Sequence, residues 1–150
     1  MNKELDYAVW GPRVLTILRI MVGLLFLEHR TQKFLGFPPS ANPGPALLSL
    51  MGFQAILELV GGGLIVLGLF TRPTAFILSG DMAVAYFMSH ASASFFPIAN
   101  QGDAAILYCF VFLYLAVAGG GAWSADRLRL RESQPQRINR SDPISARSPG

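Results

Sequence analysis

Ionisable side chains lie inside the long apolar stretches of this sequence, where an isolated charge is unfavourable. Six of them are predicted to form an outer polar cluster that faces one cavity: Glu28, His29, Lys33, Glu58, His90 and Asp103. Carboxyl, imidazole and amine groups in a low-dielectric pocket have shifted pKa values and can exchange protons with a ligand. The cluster is therefore a candidate ligand or proton site. A polar network that only fixes the helix register is the alternative.

Two further charged residues lie on the other side of the predicted membrane domain from the outer polar cluster. Arg19 lies about five residues into the first stretch, and Asp81 lies about seven residues into the third. If both stretches cross a membrane in the same direction, the two side chains lie at a similar depth. The sequence predicts an inner Arg19–Asp81 ion pair with a structural role.

The donor types in the outer cluster also raise the question of a metal or a haem. His29, His90, Glu58 and Asp103 carry acceptable metal-ligand atoms, but their spacing matches no metal-binding motif, so no metal site is predicted. The sequence contains no haem attachment motif, and haem is not the expected cofactor. The single Cys109 cannot form an intrachain disulfide or a dithiol redox centre. Nothing in the chain is expected to carry electrons by itself.

Four apolar stretches must position these groups. They cover about residues 14–35, 48–70, 74–96 and 102–118, close to the roughly 20 residues that a membrane-spanning helix needs. Hydrophobic residues make up 52% of the chain and charged residues 14%, against roughly 25% charged in a soluble domain. A soluble helical bundle would carry a polar stripe on every helix, and residues 64–70 and 106–118 carry none. The prediction is an all-α integral membrane four-helix bundle.

The basic residues predict the orientation. Lysine and arginine occur in residues 1–13, at Arg72 and six times in residues 124–150, but the segments 36–46 and 97–100 contain none. The positive-inside rule then places both termini in the cytoplasm of a bacterial inner membrane. Residues 1–13 become a cytoplasmic segment, residues 14–123 the membrane domain, and residues 124–150 a basic, largely disordered tail after a short helical extension. No basic face carries interleaved aromatics, so lipid rather than nucleic acid is the expected partner.

Several separated pieces of the sequence resemble the DoxX family of small bacterial and archaeal membrane proteins, over about residues 18–127. The pieces are residues 19–26 with His29 and 32–37, residues 58–63 and 68–72, His90, residues 100–103 with 107–108, and residues 121–126. Arg30 stands where the family commonly has glycine, and Asp103 stands where glutamate is usual. The resemblance implies a four-helix membrane bundle, and it implies links to quinone-dependent sulfur oxidation and membrane redox complexes.

Three functional hypotheses follow. The first is a redox-associated membrane subunit, with a quinone as the cofactor and other membrane proteins as partners. The second is a non-enzymatic structural or assembly subunit of a larger membrane complex. The third is a proton or small-molecule pathway between the inner ion pair and the outer polar cluster, which has no polar side chains in residues 20–27 to support it. Catalytic residues and enzymatic activity stay unassigned.

Overall fold

The computed structural model describes residues 3–35 and 50–132, and these residues fold entirely into helices and turns. In chain order the helices are α1 (Lys3–Leu35), α2 (Leu50–Leu67), α3 (Thr71–Ser89), α4 (Pro97–Asn100), α5 (Asp103–Ala118) and α6 (Ala125–Glu132). The all-α prediction is confirmed. The predicted loop after residue 36 and the tail beyond residue 132 lie outside the described residues.

Helix α1 begins eleven residues before the predicted first span, and it contains Pro12. Proline removes one backbone donor from a helix interior and usually interrupts it. Here the Pro12 carbonyl accepts a hydrogen bond from Thr16 Oγ1 at 2.9 Å and another from the Ala122 backbone N–H at 2.9 Å. These contacts hold the proline turn against the segment that follows α5.

Helix α3 also begins earlier than predicted. Phe70 precedes it in a left-handed conformation with φ 49°, and Arg72 and Pro73 lie in its first turn. Proline is tolerated there because the first N–H groups of a helix have no intrahelical partner. The helix ends at Ser89 instead of residue 96, and residues 90–96 form turns that lead into α4. Asp81 is consequently the eleventh residue of α3, further from its start than the sequence indicated.

Helices α1, α2, α3 and α5 pack around one apolar core. Phe26 of α1 lies at its centre and meets two rings of α5 edge to face, Tyr108 at 5.3 Å and Phe112 at 5.0 Å between centroids. Ile65 of α2 and Leu78 of α3 belong to the same core and are fully buried. Aromatic edge-to-face packing of this kind contributes stability beyond that of the apolar area it buries.

Two glycines let α1 and α2 approach closely. A Cβ added at Gly23 would lie 2.8 Å from a Val66 methyl carbon and 3.2 Å from the Val66 backbone nitrogen. A Cβ added at Gly62 would lie 2.8 Å from a Leu27 methyl carbon. Small residues at helix contacts are typical of helix bundles in lipid. The hydrophobic effect does not drive helices together there, and close van der Waals packing of the backbones stabilises the contact.

The outward faces of these helices are apolar. Large exposed side chains occur on every long helix, among them Ile17, Phe53, Phe76, Phe87, Phe110 and Val117. By length and composition, one helix in the described part of the chain could cross a membrane, over Asp6–His29, with a mean hydropathy of 1.6. Gly52–Leu67 and Asp103–Ala118 are shorter apolar helices. The apolar surface is far larger than single scattered residues would produce on a soluble protein.

Replacing Gly23 by valine tests the close α1–α2 contact. Because the new side chain meets the α2 backbone, we expect Gly23→Val to lower stability by about 1–3 kcal/mol. The measurement is the thermal unfolding midpoint of the purified protein in detergent. Gly63→Val is the matched control, since a Cβ at Gly63 has nothing within 4 Å. Equal effects of the two substitutions would contradict the contact.

Candidate functional site

Arg19 lies at the junction of three segments at one end of the bundle, which we call the basic end. The residue is 1% exposed, and its guanidinium group donates to the carbonyls of Ile65 and Val66 at the end of α2. It also donates to Gly120 O at 2.9 Å and Trp123 O at 2.8 Å, both after α5. A cation at the C-terminal end of a helix also interacts favourably with its dipole.

The structure gives Arg19 other partners than the Asp81 carboxylate that the sequence predicted. Its hydrogen bonds go to backbone carbonyls, and the acid whose charge acts on it is Asp126. The physical reason is the early start of α3. Arg19 reaches carbonyls beside the α2–α3 turn, whereas Asp81 lies ten residues further along α3, about 15 Å away along the helix axis.

Asp126, in the first turn of α6, caps a different helix. Its Oδ1 accepts the Phe70 N–H at 2.7 Å and its Oδ2 accepts the Thr71 N–H at 2.8 Å, at the start of α3. Burial by itself would raise the pKa of Asp126. The hydrogen bonds from Thr71 and Phe70, together with the positive charge of Arg129, outweigh burial and lower the pKa below its ordinary value.

Glu58 is the ionisable residue of the outer polar cluster that the structure places in the core. Its side chain is 0% exposed, and its Oε1 accepts a hydrogen bond from Gln54 Nε2 at 3.3 Å, one turn earlier on α2. Gly61 contacts Leu78 across α2 and α3. Glu58 lies one turn before Gly61 on α2, and the half-buried Asp81 lies one turn after Leu78 on α3. Both steps lead away from the basic end, so the two acids lie at a similar height along the bundle.

The other predicted members of the cluster have different surroundings. Glu28 and His29 are exposed, and the side chain of Lys33 lies outside the described residues. Asp103 is exposed at the start of α5, where its Oδ1 accepts the Ala104 N–H at 2.9 Å. Among the five members whose side chains the structure describes, Glu58 is fully buried, His90 is half-buried, and Glu28, His29 and Asp103 are exposed. In residues 3–35 and 50–132, no three His, Cys, Asp or Glu side chains lie close enough to hold a metal ion.

His90 belongs to the connection between α3 and α5. It ends α3, its Nδ1 lies 2.9 Å from the Asn100 carbonyl oxygen, and its ring is nearly parallel to that of Tyr86 at 6.5 Å. Asn100 is buried and its side chain in turn accepts the Gly102 N–H at 2.8 Å. These contacts order the turn that precedes α5, which is a positioning role for His90.

Comparison with known proteins bears on the whole arrangement. The family model described as DoxX matches residues 14–91, slightly more than half of the chain and the segment that contains Arg19, Glu58 and Asp81. The chain belongs to the DoxX family. No solved structure is significantly similar to it.

Sequence comparison relates this DoxX protein to proteins of three bacteria. An uncharacterized protein of Haemophilus influenzae is 45% identical over 122 residues, covering 78% of this chain and 91% of the relative. An uncharacterized membrane protein of Mycobacterium tuberculosis is 30% identical, with 78% and 82% covered. The inner membrane protein YphA of Escherichia coli is 30% identical, with 81% and 94% covered. The names of the last two agree with a membrane location for this chain.

Arg19 can be tested by comparing Arg19→Gln with Arg19→Lys. Glutamine leaves buried carbonyls without donors, and lysine keeps the charge but cannot reach the same set of acceptors. We expect both variants to lose about 3 kcal/mol or more of stability. The thermal midpoint in detergent and the yield in membranes are the measurements. Arg13→Gln, at the same end of α1, is the control, and a midpoint near the wild-type value for Arg19→Lys would show that charge alone suffices.

The Asp126 cap predicts a loss of stability in acid. Because the native pKa is below the unfolded one, the unfolded state binds more protons as the pH falls. The stabilisation is complete at neutral pH and is lost below about pH 4, as the pH falls towards the native pKa. The thermal midpoint should therefore decrease more steeply between about pH 4 and pH 3 in the wild type than in Asp126→Asn. Parallel curves for the two proteins would rule out the cap as the cause.

Proposed function

We propose that this protein is a multi-pass membrane subunit linked to redox chemistry, in which Glu58 exchanges protons with a quinone. The fully buried Glu58 side chain carries the proposal. Ionisable residues inside membrane bundles are rare, and they typically mark ligand sites or proton relays. The quinone follows from the resemblance of the chain to a family linked with quinone-dependent oxidation.

The residues around Glu58 suit a quinone. Gln54 and Glu58 offer an amide and a carboxyl group one turn apart, and the amide already donates to the carboxyl. A quinone carries two ring oxygens that accept hydrogen bonds and, when reduced, donate them. When bound, it would supply two-electron chemistry, and the electrons would pass to or from a partner subunit. The part this chain plays is to hold and move a proton at the Glu58 carboxyl group.

The same proposal includes four membrane-crossing helices with both termini in the cytoplasm. The basic end carries Arg13, Arg72 and the three arginines of α6. The opposite end carries Arg30 and Lys33 near the end of α1, and residues 89–103 there contain no lysine or arginine. This asymmetry supports a cytoplasmic basic end. Helices α2, α3 and α5 contain 18, 19 and 16 residues, or about 24–29 Å of length, slightly less than a hydrocarbon core. A modest local thinning of the bilayer accommodates this difference.

The topology is tested with single cysteines in a Cys109→Ser background. Ser92, in the exposed turn after α3, and Arg131, near the end of α6, supply the two positions. A membrane-impermeant maleimide added to intact spheroplasts should label Ser92→Cys and should label Arg131→Cys only after lysis. The reverse pattern would show that the orientation is inverted. Labelling of both positions in intact spheroplasts would place them on the same side of the membrane and would contradict the proposed crossing by α5.

The quinone site is tested by a pair of carboxyl-to-amide substitutions. Glu58→Gln removes the titratable group in the core, whereas Glu28→Gln makes the same chemical change at an exposed position. The protein is purified from native membranes, and the quinone that remains bound is extracted and quantified. We expect wild type and Glu28→Gln to retain quinone and Glu58→Gln to retain about tenfold less, which corresponds to losing one charge-assisted hydrogen bond. Wild-type protein without quinone would contradict the proposal.

A structural or assembly subunit is the second candidate, and one observation favours it. Phe95 and Phe96 of the α3–α4 connection and Ile98 of the short α4 are exposed, and Phe95 is 88% exposed. Exposed apolar groups outside the long helices are typical of surfaces that bind another protein. Purification in mild detergent tests this candidate: Phe95→Ser with Ile98→Ser should lose the co-purified subunit. Recovery of the wild-type chain alone would contradict it.

A further inference from the structure

A cavity of about 970 Å³ opens at the basic end, beside the Arg19 junction. Its walls come from α1, the first turn of α3, the end of α5 and α6. We call it the basic cavity. Its charged lining residues are Arg72, Arg127, Arg129 and Asp126, and most of the remaining wall is apolar. The volume is at the upper end of the range for small-molecule sites.

The charge of the basic cavity is positive. Three guanidinium groups face one carboxylate, and both oxygens of that carboxylate already accept N–H groups of α3. Arg129 lies over the Phe70 ring, with its Cζ 4.9 Å from the ring centroid. A guanidinium group stacked in this way keeps its in-plane N–H groups available. The three arginines thus outnumber the single carboxylate of the lining, so the cavity is suited to an anionic ligand.

The depth of the basic cavity is indicated by the aromatic residues near it. Tyr7, Trp10 and Trp123 are exposed at this end of the molecule. Tryptophan and tyrosine concentrate at the headgroup level of a bilayer. The arginines of the cavity therefore lie at the level of lipid phosphates, and its apolar wall continues towards the hydrocarbon region.

We propose that the basic cavity binds one anionic phospholipid. The phosphate contacts Arg72 and Arg129, and the first part of an acyl chain packs against Leu15, Pro73 and Ala118. A free phosphate offers the same charge, but it would leave the apolar wall uncovered, so the lining favours the lipid. This site lies at the end of the bundle opposite to the Glu58 level and does not depend on the quinone proposal.

The test compares two double variants with the same loss of charge. Arg72→Gln with Arg129→Gln removes two lining residues, whereas Arg13→Gln with Arg131→Gln removes two arginines of the same end that do not line this cavity. The full-length protein in a neutral detergent is titrated with dioleoyl phosphatidylglycerol, dioleoyl phosphatidylcholine or sodium phosphate. Native mass spectrometry gives the bound stoichiometry, and the thermal midpoint gives the affinity.

We expect one phosphatidylglycerol per chain and a raised thermal midpoint, with a much smaller effect of phosphatidylcholine. Two arginines at about 1 kcal/mol each correspond to a roughly 30-fold weaker affinity for the Arg72/Arg129 variant, against less than about threefold for the control. Equal weakening in both variants would overturn the site in favour of diffuse surface charge. Phosphate binding as tight as that of phosphatidylglycerol would overturn the lipid as its occupant.

A third variant keeps every arginine. Ala118→Phe fills the apolar wall of the cavity and should weaken phosphatidylglycerol binding at least tenfold while leaving the thermal midpoint without lipid close to the wild-type value. This variant keeps the proposal testable if the double arginine variant fails to fold. Unchanged phosphatidylglycerol binding in Ala118→Phe would show that the lipid lies elsewhere.

Discussion

The buried guanidinium group of Arg19 constrains the whole basic end. A cation taken out of water must find acceptors, because an uncompensated buried charge is strongly destabilising. The acceptors come from the last turn of α2 and from the glycine segment after α5, so these two segments and α1 are fixed relative to each other. Asp126 adds a second link by capping α3 from α6. Through these two residues, polar contacts at one end determine how the apolar helices above them are aligned.

Sequence patterns predicted the long helices but not their ends. The apolar stretches identify α1, α2, α3 and α5 because each is a long hydrophobic run between turn-forming residues. Two of the differences involve prolines. Pro12 lies within α1, where its carbonyl accepts the Ala122 N–H, and Pro73 fits the first turn of α3. Whether a proline interrupts a helix depends on contacts made by distant residues, which a local pattern does not contain.

The polar site was predicted less well, for a different reason. Position along a helix gives the depth of a side chain, but its direction around the helix is decided by packing, here by the glycine contacts and the ring of Phe26. Glu58 and Glu28 have the same chemistry, yet one is buried and the other exposed. The acceptors of Arg19 are backbone carbonyls. Because every residue has a backbone carbonyl, the residue types in the sequence do not indicate which ones Arg19 binds. Asp126 caps a helix that begins 55 residues earlier, and no short motif indicates that pairing.

The distance along the chain between Arg19 and its acceptors has a consequence for biosynthesis. Gly120 and Trp123 follow Arg19 by 101 and 104 residues, so they leave the ribosome last among its partners. Until then, Arg19 must stay hydrated near the lipid headgroups, and the nascent helices cannot close around it. Completion of the bundle thus waits until residues 120–123 have been synthesised, and a chain truncated before the glycine segment leaves Arg19 without two of its acceptors.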